Sequence, residues 1–455
     1  MFRSVKALNH PWVLQIAAVL VALLFFVVLI STLIYHVPLG LADNHDYWRL
    51  MDPFGLMYPD SNGGNYYQHI SLLFFKGAPW HVEIISSGIV FVAITYFVST
   101  FFHWNYVPLV LLGLVHCLFY TWAFYLYVRN TDFRHFFPVV VTGLIALLFL
   151  TDIFFTAYFN SFYQESSVFI FLLFFVALFQ STKVHFWWEG LMVVGISFSK
   201  VSNITFLLLF IPLVIKYWHR KGQLSKLVIT LLVCGLIFWV QSTNQNNSSS
   251  PNVFNSFFVG LVRDQSSSDR ILDNFELNKG EFARFVGKDY WQATDLSDLL
   301  KEDFYRKVSH EKIVFYYASH PIIVFEKLGQ MVKELVSEPR PRNLANRSKE
   351  FSPGFVLEQN ITSFWQKILP FILLPGLLVS FFQLIYLLKK RYYNSYEGML
   401  LIALPIFLPL QLAVSFVGDG WHEFAKHNST FYFVFVLWLL ISGQFWYKYI
   451  ETKRL

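Results

Sequence analysis

The sequence predicts an all-α polytopic membrane protein, with juxtamembrane helices and one large loop domain on the outer side. Three observations carry that prediction. Hydrophobic residues fill 55% of the 455 positions and charged residues only 14%, whereas a soluble domain carries roughly a quarter charged residues. The apolar residues gather into runs near the ~20 residues that a helix needs to cross a bilayer. Lys and Arg collect in short loops and at both ends of the chain, which is how topology is written into a membrane protein. The net charge of +6 is thus explained without a nucleic-acid partner. The 52 Phe, 24 Tyr and 14 Trp suit lipid-facing packing and interfacial belts.

Taken in order, the apolar runs are residues 12–35, 83–102, 107–128, 138–157, 166–180, 227–240, 365–388, 398–417 and 430–449. The first is too long for a signal-peptide core and lacks a small-residue cleavage site, so it reads as a retained span. Residues 187–218 form either one helix broken at Ser199–Lys200 or a tight pair of short ones. About 10 to 11 crossings result. Cys117 and Cys234 both lie inside apolar runs, where neither a structural disulfide nor a metal site is expected.

Orientation follows from the basic residues. Arg3 and Lys6, then Arg220, Lys221 and Lys226, then Lys389, Lys390 and Arg391, then Lys448, Lys453 and Arg454 mark inner ends, because short cytoplasmic loops are enriched in Lys and Arg. If Arg129, Arg134 and His135 mark an inner loop, the spans before them do not return to a cytoplasmic N-terminus; if that loop is outside, residues 187–218 make a single crossing and the segment 160–165 starts from the inner side. Two hydrophilic segments then face outward, 36–81 and 241–363. The resulting organisation is an N-terminal transmembrane catalytic module over 1–240, an extracytoplasmic loop domain over 241–363 and C-terminal spans over 364–455. The loop domain holds amphipathic stretches at 304–317 and 322–336, an Asn/Ser-rich linker at 242–250 and a Pro-rich turn at 337–342.

Three motifs carry candidate chemistry. In the first outer loop, Asp43 and Asp46 are three apart, so on a helix they would share a face. Such a carboxylate can deprotonate an acceptor hydroxyl or hold a divalent cation; a polar loop with a helix cap uses the same residue types. The second motif combines Asp152, inside an apolar run where a carboxylate is costly, with Tyr158, Asn160, Tyr163 and Glu165 at a helix junction. The third, residues 418–427, offers Asp419, His422, Lys426 and His427 for a phosphate or sugar. Its histidines are five apart, one too many for a zinc-binding His-Glu-x-x-His helix. Lys200, Arg340 and Arg342 are further candidates for a lipid phosphate, since Arg binds phosphate oxygens bidentately.

The strings LADNHDYWRLM (41–51), YFNSFYQES (158–166) and GDGWHEFAKH (418–427), set in this plan of spans and loops, resemble the GT-C glycosyltransferase superfamily, and within it bacterial WsfD-type glycan-biosynthesis hexose transferases. The resemblance implies a bacterial cytoplasmic-membrane enzyme with its active site outside. The expected reaction is inverting transfer of a hexose or deoxyhexose, such as rhamnose, from a polyprenyl-phosphate donor to a glycan or lipid-linked acceptor. It further implies Asp46 as general base, since Asp46-Tyr47-Trp48-Arg49 fits the family's acidic-then-Arg/Tyr spacing, with Asp43 as partner or replacement and Asn44, Tyr47 and Arg49 at the substrate. Whether Mg, Mn or no metal takes part does not carry over. A monomer in contact with membrane lipid is expected. Two rivals stand beside this reading: a transporter or flippase using Asp152 and Lys200 as coupling charges, and a polysaccharide polymerase or ligase relying on Arg and His in the outer loops.

Overall fold

The computed structural model describes residues 10–35, 38–59, 70–79, 85–131, 136–181, 183–217, 223–244, 250–263, 268–337, 344–346, 364–392 and 395–454. In chain order the elements are α1 (Pro11–Ile30), β1 (Leu39–Leu41), α2 (Trp48–Met51), β2 (Leu56–Met57), β3 (Leu73–Lys76), α3 (Ile89–Phe101), β4 (Tyr106–Pro108), α4 (Leu109–Arg129), α5 (Phe136–Leu150), α6 (Ile153–Thr156), α7 (Glu165–Phe179), α8 (Phe186–Ser197), α9 (Phe210–Tyr217) and α10 (Gln223–Asn244). They continue with α11 (Ser250–Asn255), α12 (Ser268–Asn274), α13 (Lys279–Phe282), α14 (Asp298–Lys307), α15 (His310–Ser319), α16 (Pro321–Ser337), β5 (Leu344–Asn346), α17 (Phe364–Lys389), α18 (Tyr396–Asp419), α19 (Phe424–His427) and α20 (Ser429–Arg454). The predicted all-α polytopic class holds, and the few strands are short.

Among the described residues, five helices are long and apolar enough to cross a membrane, or six if the bent pair over 136–160 is one span. The other expected spans form shorter apolar helices. The 13 residues of α3, at about 1.5 Å per residue, reach roughly 20 Å against a hydrocarbon thickness of about 30 Å. The apolar runs are therefore present, but several are interrupted. Residues 187–218 break where the sequence placed the break: α8 ends at Ser197 and a 3-10 helix, Val201–Leu209, precedes α9. Short polar side chains there compete for backbone groups: Ser86 and Ser87 donate to the carbonyls of Ser199 (2.7 Å) and Gly195 (2.6 Å), and Asn203 donates to Ser199 Oγ at 3.0 Å.

The chain separates into two compact units, residues 1–238, 340–408 and 430–455 in the first, and 239–339 with 409–429 in the second. In the first unit α7 is buried nearly all round, as expected of a central helix. Helix α1 instead buries one stripe, Ala17, Ala18, Val21, Phe25 and Leu29, and exposes Trp12, Leu20 and Val27. Phe25 stacks on Phe124 of α4 at 3.9 Å between ring centroids. An aromatic core forms where Phe169 of α7 meets Phe433 of α20 at 4.7 Å and Phe155 meets Phe433 at 5.2 Å. β1 pairs antiparallel with β5, Gly40 opposite Ala345, and β2, β3 and β4 form a second antiparallel sheet.

The second unit is helical through the predicted loop domain. The expected amphipathic stretch 304–317 is in fact two helices, because Val308 is extended and Ser309 caps α15 by accepting the Lys312 N–H.

Candidate active site

The first-loop motif is not a helix. Helix α2 begins only at Trp48, and His45 adopts φ +77°, a left-handed turn for which His, with Asn and Asp, is enriched. Asp43 and Asp46 therefore do not share a helical face. Each is held differently. Asp43 is buried; its Oδ1 accepts the Tyr47 N–H at 3.1 Å and its Oδ2 accepts the Tyr58 hydroxyl at 2.6 Å. Burial raises its carboxyl above the ordinary value of 3.8, against the lowering effect of those two hydrogen bonds, because loss of water penalises the charged form. Asp46 keeps 18% of its side chain exposed and pairs with Arg49 at 3.0 Å. Tyr47 is buried, donates its hydroxyl to the Leu41 carbonyl, and has its ionisation pushed well upward by burial and by Asp43.

The second motif forms the wall behind this loop. Chain 157–160 is a 3-10 turn, and α7 starts at Glu165. The Tyr163 hydroxyl accepts the Asn44 N–H at 3.0 Å and lies 2.8 Å from the Ala42 carbonyl and 2.7 Å from Asn44 Oδ1, either of which can take its proton. Tyr47 and Tyr163 meet edge to face at 5.0 Å. Asn160 donates through Nδ2 to the carbonyls of Leu33 (2.8 Å) and Leu39 (2.9 Å), so one amide bridges the end of the first span and the start of β1. That close approach requires glycine on both sides: a Cβ at Gly113 would overlap Asn160 Oδ1, and one at Gly40 would overlap the Asn160 carbonyl. Tyr158 is fully buried against Tyr163 and Phe169.

Glu165 and Lys200, far apart in the sequence, form an ion pair of 2.8 Å with side chains only 4% and 13% exposed. The break after α8 presents Lys200, and the start of α7 presents Glu165, where a carboxylate complements the helix dipole. Asp152 lies between α5 and α6, at a 53° bend, and not within a continuous span. Its Oδ1 caps α6 by accepting the Phe154 N–H (2.8 Å), and its Oδ2 accepts the Trp365 N–H at the start of α17 (2.7 Å). Arg340 and Arg342 lie outside the described residues.

In the second unit, Asp419 accepts the Asn255 amide at 2.8 Å and faces His427 Nε2 at 3.1 Å. His422 stands 3.6 Å from Asp289, and Lys426, buried, pairs with Glu423 at 2.8 Å. Glu423 has φ +46°, so the segment turns and its histidines share no helical face. Among the described residues, no group of three or more His, Cys, Asp or Glu side chains is arranged to hold a metal ion.

Sequence reasoning missed Tyr58, which has no local signal 15 residues from its carboxylate partner. It also missed His116, whose Nδ1 is 2.9 Å from the Phe159 carbonyl and whose Nε2 is 3.3 Å from Ser166 Oγ, beneath the Tyr163 turn. An ionisable residue inside an apolar run was the available signal. Asn255 and Asp289, the partners of the third motif, stood in the segment read as the extracytoplasmic loop domain.

No curated protein and no solved structure matches the chain. One family model does, over residues 3–453, and it names a different group from the expected WsfD-type transferases. On that match, which covers almost every residue, the chain belongs to the family of the YfdI N-terminal transmembrane domain.

Proposed function

We propose that the chain is a membrane glycosyltransferase that moves a hexose or deoxyhexose, such as rhamnose, from a polyprenyl-phosphate donor to a surface glycan or lipid-linked acceptor, with inversion, at the outer face of a bacterial cytoplasmic membrane. Its family is associated with membrane glycosyltransferase-like proteins. The observation that carries the reading is that the first loop, which bears both carboxylates, meets the 158–165 turn through Asn44 and Tyr163, and that Glu165 of the same turn holds Lys200.

In this reading the acceptor hydroxyl attacks the anomeric carbon as the bond to the phosphate oxygen breaks. The hydroxyl proton passes to Asp46 and the polyprenyl phosphate departs as an anion. Asp46 is the better placed base because it keeps part of its surface open, whereas both oxygens of Asp43 are engaged in shaping the turn. Arg49 orients Asp46. Lys200, with Arg340 and Arg342, supplies positive charge to the leaving group, the kind of electrostatic stabilisation that lowers such barriers most. Asn44, Tyr47 and Tyr163 shape the acceptor side, and Asp419, His422, Lys426 and His427 offer sugar or phosphate contacts in the second unit. A divalent cation, Mg or Mn, is an open variable to be set in the assay.

The test is transfer by purified protein in detergent from a panel of polyprenyl-phosphate and nucleotide sugars. Replacing Asp46 by Asn is expected to lower turnover by about 10²–10⁴-fold, the usual contribution of a general base. Asp43→Asn is expected to lower it less. Full activity in both folded variants defeats the base assignment. Absence of turnover, with substrate-dependent thermal stabilisation that neither change affects, points to a transporter.

A further inference from the structure

Helices α15 and α16 present an apolar stripe that nothing in the second unit covers. Phe315, Ile322 and Phe325 are 75%, 73% and 73% exposed. Val314 and Ala318 are exposed beside Phe315 on α15, and Ile322, Phe325 and Leu328 recur every three residues on α16. The opposite face is packed: Ile313, Tyr316, Tyr317, Met331 and Leu335 are buried. Lys327 lies on that face too, donating to the Arg263 carbonyl at 2.7 Å. Large apolar side chains exposed together on adjoining helices mark an interaction surface.

Two observations identify the occupant. The first is depth. His310 Nε2 is 3.1 Å from the Gly418 carbonyl, and Tyr317 meets Phe416 at 6.2 Å between centroids. Helix α15 thus touches the last turn of α18, one of the helices long and apolar enough to cross a membrane, and the last turn of a span lies where the hydrocarbon meets the headgroups. The second is charge. The exposed charges on the pair are Glu311, Lys312, Glu326 and Lys333, two of each sign, so attraction to anionic lipid is not what would hold it.

We propose that the α15–α16 face is a membrane-docking surface. It lies in the headgroup–hydrocarbon boundary on the side of the bilayer where α18 ends, with Phe315, Ile322 and Phe325 buried among lipid, as amphipathic interfacial helices are. This inference does not depend on the catalytic reading.

The experiment uses the full chain in phosphatidylcholine nanodiscs, with a nitroxide attached at Phe315→Cys or Phe325→Cys, and at Lys312→Cys or Lys333→Cys as controls. The unsubstituted chain reports any labelling of its buried cysteines, Cys117 and Cys234. Collision rates with oxygen, which concentrates in lipid, and with a water-soluble nickel complex are compared. Oxygen is expected to dominate at 315 and 325 and nickel at 312 and 333, with no change when phosphatidylglycerol is added. A further Phe325→Asp change is expected to move a label at Ile322→Cys toward the nickel pattern. Nickel dominance at 315 and 325 would show a solvated face, exclusion of both reagents would show a covering protein segment or second copy, and docking seen only with phosphatidylglycerol would show an electrostatic mode. Each of those three results overturns the proposal.

Discussion

Breaking the Glu165–Lys200 pair one charge at a time is predicted to be far more damaging than removing both charges together. At 2.8 Å and an effective dielectric near 20, the Coulomb attraction is about 6 kcal/mol. Desolvating each ion costs several kcal/mol, so the intact pair contributes little net stability. A single change removes the attraction and leaves the other ion buried, with 4% or 13% of its side chain in contact with solvent. Glu165→Gln and Lys200→Met are each expected to cost about 3–5 kcal/mol, and the double variant about 0–2 kcal/mol. The coupling therefore amounts to several kcal/mol, far above the few tenths at which distant sites are additive. Equilibrium unfolding of the four proteins in mixed micelles measures it. Additive losses, or single changes costing under about 1 kcal/mol, would refute the argument, since that is the range of solvated pairs.

The remaining predictions concern Asp152 and the pH response of Asp43. Asp152→Asn keeps one carbonyl acceptor for the N–H groups of Phe154 and Trp365 and is expected to cost about 1–2 kcal/mol, against about 2–4 kcal/mol for Asp152→Ala. Transfer activity per folded molecule should persist in the Asn variant, and its abolition there would return Asp152 to the substrate site. Asp43 titrates above 3.8 in the folded protein because of burial, so the native state holds more protons than the unfolded state across the interval above 3.8. Stability from this group is accordingly greatest below 3.8 and falls as pH rises through the folded value. Tyr58→Phe deletes a hydrogen bond that lowers Asp43 and should carry this fall to higher pH. Melting temperatures recorded from about pH 4 to about pH 7 test the sign, and an unchanged or reversed profile would contradict it.

Much of the fold was legible because hydropathy acts locally. The first span, the spans at α4, α17, α18 and α20, and the break before Lys200 all follow from counting apolar residues and noticing polar ones among them. Helix length was less legible. The run expected over 83–102 became the 13-residue α3, and the run from 138 bends at Asp152, because backbone groups freed at such breaks are satisfied by partners that composition does not reveal. The first-loop pair shows the same limit. Spacing of three suggested a shared helical face, but a left-handed His45 and a hydroxyl from Tyr58 gave the two carboxylates separate surroundings.

The sequence by itself determined that this chain is helical and membrane-embedded, and it picked out the segments where polar chemistry collects. Those properties sum over neighbouring residues, and hydrophobic transfer energy needs no knowledge of the partner. Only the tertiary structure decided which polar groups meet. Asn160 reaches carbonyls 121 and 127 residues away, Tyr163 reaches Asn44 across 119, and Asp152 caps a helix 213 residues downstream. A buried donor or acceptor must find a partner, because leaving it unsatisfied costs about 1–3 kcal/mol; which partner it finds depends on how helices pack, and that is a property of the whole fold.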